Sequence, residues 1–201
     1  MIVGIVLAAG RSSRLGRPKH LLPVNGEPLL RYTLRRILAS SLARVIVVIG
    51  PEPDAIREAI ADLPVDVVVN PDAALGQSTS VATGIRALGP ETKAVVMLLG
   101  DQPGIDPAVV DALTAAWRES GAPVVAPRYE GGIGNPILFD RSLFPALLRL
   151  RGDTGARSVV RAHEREGTLQ TVTIAGPAPP DIDTEADYAA LLAALAADSS
   201  T

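Results

Sequence analysis

The sequence predicts an α/β protein with a three-layer, doubly wound, mostly parallel sheet. Three observations carry that prediction. Short runs that are apolar at every position recur along the first half of the chain. Strands buried on both faces by a parallel sheet read this way. Segments with apolar residues at helical spacing lie between the runs, and the connections are short. Such alternation implies βαβ units with right-handed crossovers.

The first run is 2–7, ending in Ala8-Ala9-Gly10. The second is 44–49, closed by Gly50-Pro51. The third is 65–69, closed by Asn70-Pro71. The fourth is 94–99, closed by Gly100-Asp101. Helices are expected over 29–39, where Leu30, Leu34, Ile37 and Leu38 share a face, and more weakly over 54–63. Another is expected over 78–88. A fourth, over 107–119, has Asp106 as N-cap and Pro107 at its first position. Strands are expected at 123–127 and 135–139, joined through the Gly131-Gly132-Ile133-Gly134 loop. Helices at 142–150 and 154–166 and a strand at 169–174 follow. Thr184 opens a last helix whose first turn carries Glu185 and Asp187, favourable for the helix dipole.

Composition narrows the function. The chain of 201 residues fits one domain, expected over 1–197. The small, polar residues 198–201 are expected to be a disordered tail. A net charge of −3 argues against nucleic-acid binding, which needs a basic face. Cysteine is absent and histidine occurs twice, which excludes disulfides, thiolate chemistry and His-rich metal sites. The N-terminus has no basic stretch of a signal peptide, and no apolar run reaches the roughly 20 residues that span a bilayer. A cytoplasmic protein without membrane attachment is expected.

The first strand runs into a loop, 7–19, that is rich in small residues and carries Arg14 and Lys19. Lys19 is one of two lysines in the chain. Open α/β sheets bind ligands beyond the carboxyl ends of their strands. Small residues let backbone N–H groups approach phosphate, and mobile cations stabilise charge on a transferring phosphoryl group. The loop matches neither the P-loop nor G-x-G-x-x-G, and a solvated surface loop is the competing reading. Asp101 follows the fourth strand and is a candidate Mg²⁺ ligand, because Mg²⁺ takes one or two carboxylates plus substrate phosphates. Asp181 and Asp183 flank Ile182, so in an extended segment both face away from it. Either completes a metal site with Asp101, or Asp183 or Thr184 simply caps the last helix. Gly76 to Ser80 and Gly152 to Arg157 are open to both capping and ligand contact.

Six ordered stretches together resemble one family. They are 7–23 with Leu-Ala-Ala-Gly and Lys19-His20-Leu21-Leu22-Pro23, Asn70-Pro71 with Gly76 to Ser80, Gly100-Asp101-Gln102-Pro103, Gly134-Asn135-Pro136, Gly152 to Arg157, and Asp181-Ile182-Asp183-Thr184. The chain is similar to the MobA-like NTP transferases, and within them to the molybdenum cofactor cytidylyltransferases. The resemblance implies a nucleotide-diphospho-sugar transferase, GT-A-like Rossmann-type fold. It implies transfer of CMP from CTP, with Mg²⁺, to a phosphorylated acceptor such as molybdopterin, releasing pyrophosphate. By resemblance, Ala8, Ala9, Gly10, Arg11, Asn70 and Ser80 contact the nucleoside. Arg14 and Lys19 bind the triphosphate and, with Asp101, act in catalysis. Asp101 and Asp183 ligate Mg²⁺, and Asn135, Asp153 and Arg157 face the acceptor. Cytidylyl members carry Ala where guanylyl members carry a second Gly, so Ala9 favours CTP, while Thr79 leaves GTP open. A molybdenum hydroxylase or its chaperone is the implied partner. The rivals are another phosphorylated acceptor, a nicotinamide-dependent reductase and a cofactor-delivery chaperone.

Overall fold

A computed structural model describes the chain through residue 198 apart from Arg11, Ser13 and Glu52, with Asp198 described only as the end of the last helix. The strands are β1 (Ile2–Ala8), β2 (Pro23–Val24), β3 (Glu27–Pro28), β4 (Arg44–Ile49), β5 (Asp66–Val69), β6 (Ala94–Leu99), β7 (Val124–Tyr129), β8 (Gly132–Ile133), β9 (Ile137–Asp140) and β10 (Leu169–Thr173). The helices are α1 (Leu29–Leu38), α2 (Asp54–Ala59), α3 (Gln77–Arg86), α4 (Pro107–Ser120), α5 (Phe144–Leu148), α6 (Arg157–Arg165) and α7 (Glu185–Asp198).

The main sheet runs β10-β7-β9-β6-β1-β4-β5, with β8 appended to β7. β1 pairs in parallel with β4 and β6, and β5 and β10 also join in parallel. β9 is antiparallel to both β6 and β7. The expected doubly wound, mostly parallel architecture is therefore present, with one reversed strand inside it.

Both faces of the sheet are covered. Val6, Val45, Val47 and Val96 meet Leu30, Leu34 and Ile37 of α1 and Val110 and Leu113 of α4. Val3, Ile5, Ile46 and Val48 meet Val81 and Ile85 of α3, Leu147 of α5 and Val160 of α6. The alternation along β1 and β4 is the two-residue period of a strand, and after Arg44 at the edge of β4 every residue of the two runs is apolar because both faces are dry. Leu30, Leu34 and Ile37 are fully buried, and each such burial contributes about 1.5–3 kcal/mol.

Local signals set the helix ends. The Asp106 side chain accepts from Ala108 N at 2.9 Å, Pro107 takes the first position, and Gly121 ends α4 in the left-handed region at φ 63°. Thr184 and Asp187 cap α7 reciprocally. Thr184 N donates to Asp187 Oδ2 at 2.8 Å and Asp187 N to Thr184 Oγ1 at 3.2 Å. Asp198 ends α7, so the expected tail does not include it, and residues 199–201 lie outside the described residues. α2 ends at Ala59 rather than 63. Ile60 leaves the helical region to bury its side chain against the sheet, and Pro64 bars a longer helix.

A third, smaller core joins the two ends of the chain. Leu15, Leu22, Val24 and Leu29 pack against Ile182 and Tyr188, with Tyr32, Leu191 and Leu195 around them. The β2–β3 ribbon lies here, and Tyr188 donates its hydroxyl to Pro23 O. The ribbon is too short to show any period in the sequence.

α3 crosses β1 closely at Gly84. A Cβ there would lie 2.6 Å from Ile5 Cγ2 and 3.3 Å from Val48 Cγ2. Gly84→Val is therefore expected to destabilise the protein by about 1–3 kcal/mol through overpacking, read as a lowered urea midpoint at unchanged slope.

Candidate active site

The carboxyl ends of β1 and β6 lie side by side, since Leu7 pairs with Leu99. The loops leaving them open onto a cavity of about 610 Å³. Ala9, Gly10, Arg14, Lys19, Ser80, Asp101, Asn135, Asp153, Arg157 and Asp183 all line it. Arg14 and Asp183, separated by 169 positions in the chain, thus face one space.

Lys19 sits at the centre. The loop that carries it is folded on itself: Ser12 O accepts from Leu15 N and Gly16 N, both at 3.1 Å, and Ser12 Oγ accepts from Lys19 N at 3.0 Å. Leu15 anchors the loop in the small third core. The Lys19 side chain is buried, with 7% exposure. Its ammonium donates to Asp101 Oδ2 and, at 2.8 Å, to Asp183 Oδ1. Arg14 reaches the other Asp183 oxygen at 2.9 Å from the solvent side. Burial opposes the Lys19 charge, but Asp101 and Asp183 outweigh it and raise its pKa above the ordinary value. Asp183 is lowered, first by the Lys19 hydrogen bond, against a cost of burial.

The backbone aims Asp183. Ile182 is fully buried and its N–H donates to Asp101 O at 2.9 Å. On one side Gln102 Nε2 donates to Asp181 Oδ1 at 2.7 Å. On the other, Thr184 takes the capping duty with Asp187. Asp183 is thereby left to face the cavity, while the capping of α7 falls to Thr184. Asp181 lines the same space, and burial, followed by the charge of Asp101, raises its pKa.

The opposite wall is the start of α3 and the loop before α6. A Cβ on Gly76, whose φ is 113°, would lie 2.5 Å from Gly152 C, and one on Gly155 would lie 2.2 Å from Gln77 Oε1. Only glycine allows these two segments to touch. Tyr129 donates its hydroxyl to Asn135 O at 3.0 Å and holds that backbone beside the cavity.

Three expected contacts stand differently. Asn70 does not line this space. It is buried, and its amide donates to Thr79 Oγ1 at 2.8 Å and Ser80 Oγ at 2.9 Å. It tethers the start of α3 and so sets where Ser80 points. Ala8 is buried in the strand end and faces the α1 core. With Ala9, Gly10 and His20 it borders a second hollow toward Gly50 and Ala55. Arg11 lies outside the described residues. Gln102 and His20 are the site neighbours that residue-type reasoning passed over, although each adjoins a singled-out residue in sequence.

His20 is buried between Lys19 and Leu21. Burial pushes its pKa down to about 4, with the Asp101 charge opposing and Lys19 assisting. The unfolded chain binds this proton below the ordinary value of 6.5, whereas the folded one resists it until about 4. Stability present above about pH 6.5 is therefore lost as pH falls toward 4, by up to about 1.4 kcal/mol per pH unit. Urea unfolding of wild type and His20→Asn at about pH 7 and about pH 5 checks this, and the variant is expected to lose less stability on acidification.

Residues 4–167 match the model of the MobA-like NTP transferase domain. The purine catabolism protein PucB of Bacillus subtilis is 32% identical over 93% of this chain and 94% of its own. The nicotine blue oxidoreductase of Paenarthrobacter nicotinovorans is 32% identical over 80% of this chain and 81% of its own. A Mycobacterium tuberculosis protein whose crystal structure is a complex with manganese superposes with a TM-score of 0.83 at 33% identity, covering 96% of this chain and 98% of that one. Among the described residues no helix is long and apolar enough to cross a membrane. The chain belongs to the MobA-like NTP transferase family.

Proposed function

We propose that this cavity transfers CMP from CTP to a phosphorylated small-molecule acceptor, with molybdopterin the favoured acceptor and pyrophosphate the product. The observation that supports it is the convergence of Lys19 and Arg14 with Asp101 and Asp183 just beyond the small-residue loop of β1. The acceptor phosphate attacks the α-phosphorus in line, the α–β bridging bond breaks, and pyrophosphate leaves. No general base is required, because a phosphate monoester is already ionised near neutral pH. Lys19 and Arg14 bind the triphosphate and neutralise the departing charge. Ala9, Gly10 and Ser80 hold the nucleoside, and Asn135, Asp153 and Arg157 orient the acceptor from the far wall. Catalysis is positioning plus electrostatics.

The donor set fits a magnesium ion. Asp101 and Asp183 reach one common point, the Lys19 ammonium, and a hard cation of this kind needs only one or two carboxylates when phosphates supply the rest. No preformed cluster of three or more ligating side chains occurs among the described residues, which suits a cation that arrives with its triphosphate. Such an ion would offset the charge of the phosphate oxygens. The relative solved with manganese supports a divalent cation here. Product delivery to a molybdenum hydroxylase or its chaperone belongs to the same reading.

One observation favours a second reading, a nicotinamide-dependent reductase: the 32% identity to the nicotine blue oxidoreductase. The absence of G-x-G-x-x-G weighs against it.

Pyrophosphate release from each of the four nucleoside triphosphates, with Mg²⁺ and molybdopterin, tests the proposal. Release with CTP is expected. Release with GTP alone would keep the chemistry and overturn the reading of Ala9. Binding of NADPH without release from any triphosphate would favour the reductase. Asp101→Asn is expected to lower turnover by about a hundredfold or more with its unfolding transition preserved. Near-wild-type turnover would remove Asp101 from the site.

A further inference from the structure

We propose that Lys19 is the resident counter-ion of Asp101 and Asp183. Its ammonium holds, in the nucleotide-free protein, the position a divalent cation takes when triphosphate is present, so the cation enters only by exchange. The inference rests on the metal reading above and adds an order to it: the nucleotide-free site holds the ion only weakly.

The geometry comes first. A single ammonium nitrogen bridges both carboxylates, donating to Asp101 Oδ2 and to Asp183 Oδ1. Lys19 is buried, and Arg14 pairs with the other Asp183 oxygen at 2.9 Å from the solvent side. A cation approaching the pair meets a positive charge where it must bind, and a second one across its entrance.

The charges around the cavity point the same way. Among the described residues, its charged lining residues are Arg14, Lys19 and Arg157 against Asp101, Asp153, Asp181 and Asp183. Carboxylates exceed cations by one in that set. A triphosphate that draws Lys19 toward itself would strip Asp101 of its partner in a site already acidic. A divalent cation restores the balance and bridges to the phosphate oxygens. Cation and nucleotide then bind together, each weak without the other, as reciprocal coupling requires.

The exchange needs only a side-chain movement. Lys19 N is fixed by Ser12 Oγ, so the backbone stays. The stem passes over the loop glycine: a Cβ on Gly10 would lie 3.7 Å from Lys19 Cε. Rotation about the flexible four-carbon stem carries the ammonium from the carboxylates to the small-residue loop where phosphates are held.

This makes a prediction of opposite signs. Removing the Lys19 charge should weaken triphosphate binding and strengthen cation binding in the absence of nucleotide. A lysine that only binds phosphate would leave the second quantity unchanged. Losing one unit charge about 3 Å from a divalent ion corresponds to about a hundredfold gain in affinity even in a water-like medium.

The experiment titrates Mn²⁺ into nucleotide-free protein and follows the free-ion paramagnetic resonance signal. Wild type, Lys19→Met, Lys19→Gln and Lys19→Met/Asp101→Asn are compared, with circular dichroism as the check on folding. Two lysine variants are used so that misfolding of one does not remove the test. The expected result is weak binding by wild type, about a hundredfold tighter binding by each folded lysine variant, and loss of that gain in the double variant. Wild-type binding that depends on Asp101 but does not change on removing Lys19 would overturn the counter-ion role and leave the metal reading standing. Absence of Asp101-dependent binding in every variant, with CTP as well as without it, would overturn both.

Discussion

The candidate site depends on the small core that joins the two ends of the chain. Leu15 and Leu22 from the first loop, Val24 and Leu29 from the ribbon and α1, and Ile182 and Tyr188 from the last segment share one dry cluster. Arg17 reinforces it, lying over the Tyr188 ring at 5.6 Å and pairing with Glu185 at 2.9 and 2.8 Å. Those exposed pairs contribute little by themselves. The buried apolar contacts fix the loop against α7. The consequence reaches the chemistry directly: the cation of the site comes from residue 19 and one of its anions from residue 183. No strand pairing connects the two; this core, with the Ile182 N–H bond to Asp101 O, fixes their relation.

Buried charge is otherwise costly, and this site lowers the cost by pairing. Lys19 has Asp101 and Asp183, Asp183 also has Arg14, and Asp181 has the Gln102 amide. His20, packed beside them, is held neutral. A protonated imidazole there would add an uncompensated charge next to Lys19, and burial excludes it. The arrangement is satisfied internally before any ligand enters. Binding a polyanion therefore rearranges existing ion pairs rather than filling a set of waiting cations.

The sheet was legible because its strands are buried on both faces. Runs such as Val45 to Ile49 carry no polar residue at all, and little else produces that pattern. The start of α4 was legible because Asp106 and Pro107 are chemical punctuation there, and the helix ends at Ser120, one residue beyond the expected 119, with Gly121 as its C-cap. The reversal of β9 was not legible: a short apolar strand reads the same in either direction, and only its pairing with β6 and β7 fixes the sense. Within the site, Arg14, Lys19 and Asp101 stood out by charge and by their place after strands. The part played by Asn70 was hidden. A buried amide that serves Thr79 and Ser80 and one that serves a ligand have the same sequence signature. Gln102 was hidden for the same reason, since its partner lies 79 residues away.

The two walls of the cavity differ in how they are built, and this bears on how one scaffold carries relatives of different names. The floor is made by the carboxyl ends of β1 and β6 with their immediate loops, fixed by strand pairing and a packed core on each face. The far wall, 151–157, touches the rest through Gly76 and Gln77 at the start of α3. It has no strand of its own and little buried apolar area: Val160 is the buried residue of α6. Changing residues on that wall alters what sits opposite Asp101 without disturbing the sheet. Loops held on a rigid floor are where a fold changes its substrate. On the proposed function, the nucleotide side of the cavity is tied to the family's architecture, and the acceptor side is where this chain's own specificity would reside.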